Sequence, residues 1–236
     1  MIVLIKLILA HLIGDFLLQP TSWVKAKEKK KLKAYQLYLH AALHGVLIMV
    51  LMWDWTFLPW AGMLMFIHFI IDALKLLLQK KDTRTTYFIT DQILHILSLL
   101  IIFMWYKGSI EINESVFSEA NFLLATILIF LTVPTSYLTK VLIAKWTPHT
   151  EENETDSLEN AGKYIGILER LFVFVFISSG HWEGVGFLLA AKSIFRFGDL
   201  REPKDRKMTE YILIGSLISF GIAILAGMAY LKLLPK

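Results

Sequence analysis

The chain has no cysteine. Disulfides and thiolate metal ligands are therefore excluded, and any metal site has to be built from His, Asp or Glu. The amino terminus has neither a basic leader nor a small-residue cleavage site. Its apolar run is interrupted by Lys6, His11 and Asp15, so it is not expected to be a cleavable signal peptide. No internal sequence repeat stands out. Neither Ser136 nor Ser193 has a histidine in reach by sequence, so a serine hydrolase is not expected.

Apolar residues are what the chain has in abundance. They make up 56% of its 236 residues, well above the share usual in a soluble domain, and the mean hydropathy is +0.58. Apolar runs near the length of about 20 residues needed to span a bilayer recur along the chain. The expected fold is all-α: a polytopic membrane protein of seven to eight transmembrane helices. They are placed at 2–19, 35–53, 57–79, 86–106, 120–144, 161–180, 184–198 and 209–232. The seventh is short, with Gly184 and Gly186 at its start, and is read as tilted or re-entrant. Three regions follow: a four-helix group at 1–106, a connecting region with the fifth helix at 107–160, and a carboxy-terminal helical group at 161–236.

Basic residues alternate between connections. "KAKEKKKLK" follows the first helix. Lys80, Lys81 and Arg84 follow the third, and Arg201, Lys204, Arg206 and Lys207 precede the last. The intervening connections, around Asp54 and in the acidic "EINESVFSEA", are poor in Lys and Arg. This alternation places the basic loops in the cytoplasm and, for eight spans, both termini outside. The net charge of +4 resides in these connections and is not a nucleic-acid signal. The polar stretch "HTEENETDSLEN" (149–160) joins the two helical groups.

Four pairs of polar residues share one spacing. His11 and Asp15, His40 and His44, His68 and Asp72, and Asp91 and His95 are each four residues apart. Residues so spaced lie one turn above each other on one helix face, with Cβ atoms about 5–6 Å apart. Helical bundles build carboxylate–histidine metal sites from such pairs on facing helices. With helices alternating in direction, all four pairs fall at one depth, in the cytoplasmic half of the membrane. Placing an Asp at the centre of a membrane helix costs about 2.5–3.5 kcal/mol on insertion scales, and three such residues beside histidines call for cations. The ligand set is nitrogen and hard oxygen, which suits one or two divalent ions of Zn, Mn or Fe. Gln19, Gln36 and Gln92 flank the set and either orient ligands or cap helix ends. Lys75 follows Asp72 by three residues, placed to pair with it or to meet an anionic substrate.

The later helices carry Glu169, Arg170, Lys192, Arg196 and Glu210. Two readings remain open for these groups: internal salt bridges, or a cationic wall of Arg170, Lys192 and Arg196 for a phosphate or carboxylate, supported by Glu169 and Glu210. Gly162, Gly166, Gly215 and Gly221 are expected to allow close helix approach.

The stretches "HLIGDFLLQ", "HAALH", "HFIIDALK", "DQILH", "GKYIGILER" and "AAKSIFRF" together resemble a bacterial family of multi-pass membrane proteins of unknown function. A weaker similarity is to inner-membrane proteins described as membrane-bound metal-dependent hydrolases, which also place His and Asp on early membrane helices. That similarity implies that the eight paired residues are the metal and catalytic set. The long histidine-bearing loop frequent in that group is missing, so a substrate is not implied. The expected activity is a metal-dependent hydrolase of the bacterial inner membrane, acting on a lipid or lipid-linked phosphate or ester at the cytoplasmic leaflet. Asp15, Asp72 or Asp91 would serve as general base. The alternatives are a divalent-metal transporter and a purely structural metal; a homo-oligomer is left open.

Overall fold

In the computed structural model, residues 1–80, 83–109, 119–147, 156–197 and 203–234 are described, with side chains excepted at 109, 156–161, 195–197 and 203–208. The acidic connection at 110–118, the polar stretch at 148–155, and Lys81 and Arg201 lie outside the described residues, as do the side chains of Arg196, Lys204, Arg206 and Lys207. Every regular element among the described residues is helical. The helices are α1 (Ile2–Leu12), α2 (Thr21–Lys30), α3 (Tyr35–Met52), α4 (Leu58–Leu78), α5 (Arg84–Ser109), α6 (Glu119–Leu131), α7 (Val133–Ile143), α8 (Asp156–Ser178), α9 (Trp182–Phe197) and α10 (Pro203–Leu233). The chain divides into two compact units, Met1–Thr126 and Ile127–Lys236.

Among the described residues, four helices are long and apolar enough to cross a membrane, or up to six if each of two bent pairs counts as one span. The expectation of seven to eight spans is met only that far. Helix α9 has 16 residues, too few for a full crossing, and α8 carries Lys163, Glu169 and Arg170 along its length. The first expected span, 2–19, is not one straight helix. After α1 the backbone widens into a π-helical turn, Ile13–Leu17. Pro20 then holds extended backbone, and α2 departs at 82°. The lysine-rich stretch expected as a loop is therefore largely helix.

In the first unit, α3 packs against α1 and α4, and α5 against α1 and α4. One end of this bundle is apolar, with Leu7, Ile48, Phe57, Leu64, Leu99 and Ile102 buried together. Beyond it lie Trp53 and Trp55, 88% and 83% exposed, and Trp60 edge-on to Trp105 at 5.3 Å, the aromatic composition of a membrane–water boundary. Asp54 stands there as a cap, accepting from the Thr56 backbone N–H at 2.9 Å. The opposite end carries α2 and its lysines. The outward faces of α4 and α5 expose Phe66, Ile101 and Met104, as a lipid-facing surface requires.

In the second unit, α8 packs on α9 and α10, and α7 on α8 and α10. The chain breaks between α6 and α7 at Thr132, with a bend of 40°. Pro134 has no N–H to offer the carbonyl one turn back. The Thr135 hydroxyl donates to that carbonyl, Phe130 O, at 2.6 Å. The close helix approaches made by glycine are not those expected. A Cβ at Gly184 would stand 2.8 Å from Phe176, and one at Gly227 would stand 2.7 Å from Ile177. At Gly162 and Gly221 there is open space, and Gly166 and Gly215 are only moderately confined.

Candidate metal centre

Helices α1, α3, α4 and α5, with the π-helical turn, bring all eight paired residues into one cluster. Its seven α-helical members are buried, and the Asp15 side chain is 10% exposed. The i,i+4 spacing is the local cause: each helix presents its pair inward while its remaining faces are apolar. The π-helical turn carries Asp15 on a widened backbone, and its Oδ1 lies 3.0 Å from His44 Nε2, 3.1 Å from His40 Nε2 and 3.6 Å from His68 Nε2. His40 Nε2 is also 3.2 Å from His68 Nε2. The bond lengths of zinc to nitrogen or oxygen give tetrahedral ligand separations of about 3.3 Å, close to each of these pairwise distances.

Among the described residues, three groups of side chains could hold a metal ion: His11 with Asp15, His44 and His68; His40 with His68 and Asp72; and Asp15 with Asp91 and His95. Within each, the ligand atoms lie within 4.8 Å of one another. The rings are close-packed, His44 on His68 at 3.7 Å and His68 on His95 at 4.0 Å between centroids. Several buried polar atoms lack a hydrogen-bond partner: His40 Nδ1, both nitrogens of His95, and Asp91 Oδ1. Buried groups of this kind are ordinarily satisfied; His95 Nε2 stands 3.5 Å from Asp91 Oδ1 and 3.6 Å from Asp72 Oδ1.

Gly14 is required by the same packing. A Cβ there would stand 2.4 Å from His44 Cε1 and 2.5 Å from its Nε2. The imidazole that meets Asp15 therefore lies directly against the backbone beside it.

Two of the three flanking glutamines join the cluster. Gln92 donates to Asp15 Oδ2 at 3.0 Å and to Asp91 Oδ2 at 3.3 Å, and its Oε1 lies 3.3 Å from His11 Nε2. Gln19 donates to His40 Nε2 at 2.8 Å. Gln36 is buried, but its Oε1 has no hydrogen-bond partner.

One participant is absent from the sequence expectation. Lys27, read there as part of a loop, is 5% exposed and donates to Asp72 Oδ2 at 2.7 Å. The turn from α1 into α2 returns this one lysine to the bundle while Lys25, Lys29 and Lys30 stay exposed. Lys31 follows it inward and donates to the Leu76 carbonyl. The signal available in sequence was Pro20, which marks the bend but not which lysine turns in. Lys75 pairs with Asp91, also at 2.7 Å, rather than with Asp72 on its own helix. It is thus tied to the cluster, with its side chain 24% exposed. Of the three aspartates expected as bases, Asp72 and Asp91 each hold an ammonium group, while Asp15 faces imidazoles and Gln92.

The second unit's charges resolve differently. Arg170, expected on a substrate wall, is 3% exposed and donates to the carbonyls of Leu131 and Thr132 at 2.6 and 3.0 Å. It also donates to the hydroxyls of Ser136 and Ser219 at 2.6 and 3.0 Å. It thus serves carbonyls at the α6–α7 break, where Thr132 O also accepts from the Ser136 backbone N–H and hydroxyl. Lys192 pairs with Glu169, as the salt-bridge reading has it. Glu210 is exposed.

No curated protein and no solved structure matches the chain. The family comparison does, over a region that includes all four helices of the cluster. Residues 3–143, more than half of the chain, match the family described as "Protein of unknown function (DUF3307)", and the chain belongs to that family.

Proposed function

We propose that the protein is a metal-dependent hydrolase of the bacterial inner membrane, acting on a lipid or lipid-linked phosphate or ester at the cytoplasmic leaflet. The observation that carries this reading is the convergence of five imidazoles and three carboxylates from separate helices onto one buried site. A divalent ion of the Zn, Mn or Fe type fits this donor set. It would activate water and polarise the scissile bond, with a carboxylate not on the ion as general base. The polar approach is one-sided. Lys27, Lys75, Gln19 and Gln92 lie at the lysine-rich end, which the charge alternation along the chain assigns to the cytoplasm.

A divalent-cation transporter is the second reading, favoured by a cavity between the rings of His44 and His68 and the apolar Leu7, Ile48, Leu64 and Leu99. Beyond it, however, Phe57, Ala61 and Ile102 are packed at 2% exposure or less, which supports a site approached from one side only.

The test uses detergent-purified protein loaded with zinc or manganese and incubated with a bacterial lipid extract. Metal-dependent release of a water-soluble phosphate or acid, lost in His68→Ala, is the expected result. Bound metal without turnover of any lipid, together with zinc flux in proteoliposomes, would replace this reading with the transporter.

A further inference from the structure

We propose that Lys27 and Lys75 are built-in counter-ions standing where a second metal ion would otherwise bind, so that the cluster takes one divalent cation, on His11, Asp15, His44 and His68. This deepens the metal-centre reading and rests on it. It concerns how many ions bind and where.

The assignment of the lysines follows from the three candidate groups. The group with His40 and His68 depends on Asp72 for its carboxylate, and Lys27 Nζ sits 2.7 Å from Asp72 Oδ2. The group with His95 draws on Asp91 as well as Asp15, and Lys75 Nζ sits 2.7 Å from Asp91 Oδ2. Only the group of His11, Asp15, His44 and His68 has no ammonium on its carboxylate. Asp15 Oδ1 faces imidazole nitrogens, which are lone-pair donors to a metal when neutral.

Charge leads to the same count. Three carboxylates against two ammonium groups leave the cluster one negative charge with its histidines neutral. One divalent ion makes that one positive charge. A second ion, with both lysines still in place, would leave three positive charges buried among apolar helices, where unpaired charge is strongly disfavoured. Both lysines are held in the bundle. The Lys27 side chain is 7% exposed and that of Lys75 24%, against 7% and 2% for their carboxylates. Neither extends freely into solvent as an ordinary surface lysine would. Without the two ammonium groups, two divalent ions would give the same single positive charge that one ion gives with them. The lysines therefore set the stoichiometry.

The measurement is zinc bound per folded chain, by equilibrium dialysis of full-length protein in detergent against zinc chloride, followed by elemental analysis. One zinc per wild-type chain is expected. Two would overturn this proposal while leaving the metal centre intact; none would overturn both. Lys27→Met with Lys75→Met is expected to rise to two. A folded double variant that still holds one zinc removes the lysines from their assigned role. A second variant, Lys75→Met with Asp91→Asn, removes one ammonium and its carboxylate together. It is expected to keep one zinc, whereas Asp15→Asn keeps none. Loss of the ion from the first of these, or its retention in Asp15→Asn, places the ion elsewhere and overturns the proposal.

Discussion

Arg170 in the second unit and Asp15 in the first are both polar side chains enclosed by apolar helices, but their partners differ in kind. Arg170 meets two backbone carbonyls and two hydroxyls, all fixed acceptors supplied by the α6–α7 break and by neighbouring serines. Its guanidinium ties together acceptors that the fold itself supplies. Asp15 meets three imidazoles, one of which, His40, has no hydrogen-bond partner at its Nδ1, and a further ring, His95, makes no hydrogen bond and stands 3.5 Å from Asp91 and 3.6 Å from Asp72. Saturation of the first centre marks it as part of the scaffold. The second centre keeps ring nitrogens without hydrogen bonds, and its groups could hold a metal ion. Burial and charge alone would have ranked the two alike.

Arg170→Met tests this contrast most severely. Removing the guanidinium leaves the Leu131 and Thr132 carbonyls without it in an apolar interior, at an expected cost of about 3 kcal/mol. Unfolding in detergent, followed by tryptophan fluorescence, should show that loss, while zinc bound per folded chain stays at the wild-type value. Unchanged stability with lost zinc would reverse the roles of the two centres.

Gly14→Ala should do the opposite. The added methyl displaces the His44 ring from its 3.0 Å contact with Asp15. Zinc affinity is expected to fall about tenfold in a chelator competition, as misplaced ligand geometry commonly does. Helix stability should change little, because alanine itself favours helix. Wild-type zinc affinity in this variant would mean that His44 is not a ligand.

Lys192→Met is the mildest of the three. Its pair with Glu169 is partly exposed, at 22% and 17%, so an unfolding cost of about 1 kcal/mol or less is expected, with zinc binding untouched. A loss of lipid turnover in this variant, with folding and zinc content retained, would return Lys192 to the substrate wall.

Much of the site was legible because its rule is local. Four residues make roughly one helical turn, so His40 with His44 or His68 with Asp72 declares a shared face without any tertiary information. Gln92 was legible for the same reason, next to Asp91. Lys27 was not: it is one of six lysines between positions 25 and 33, and nothing near it in sequence distinguishes it from Lys25 or Lys29. Two readings of Arg170 stayed open because its partners include carbonyls some 38 residues away, beside a helix break whose local marker, Pro134, does not say what will fill it. The glycines went astray similarly, since close approach depends on what lies opposite, as Phe176 does for Gly184.

By itself, the sequence determined that the chain is helical and apolar, that no thiolate takes part in any metal site, and that four helices each carry an inward polar pair. Those properties follow from residue type and from a period of 3.6, which any helix imposes on its own side chains. Only the tertiary structure decided that α1 would turn by 82° at Pro20 rather than continue, that Lys27 would come back onto Asp72, and that Lys75 would choose Asp91 over Asp72. Each of these depends on the direction in which one helix leaves another. That direction is set by packing across the whole bundle, where charges at positions distant in sequence either find one another or remain open to a ligand.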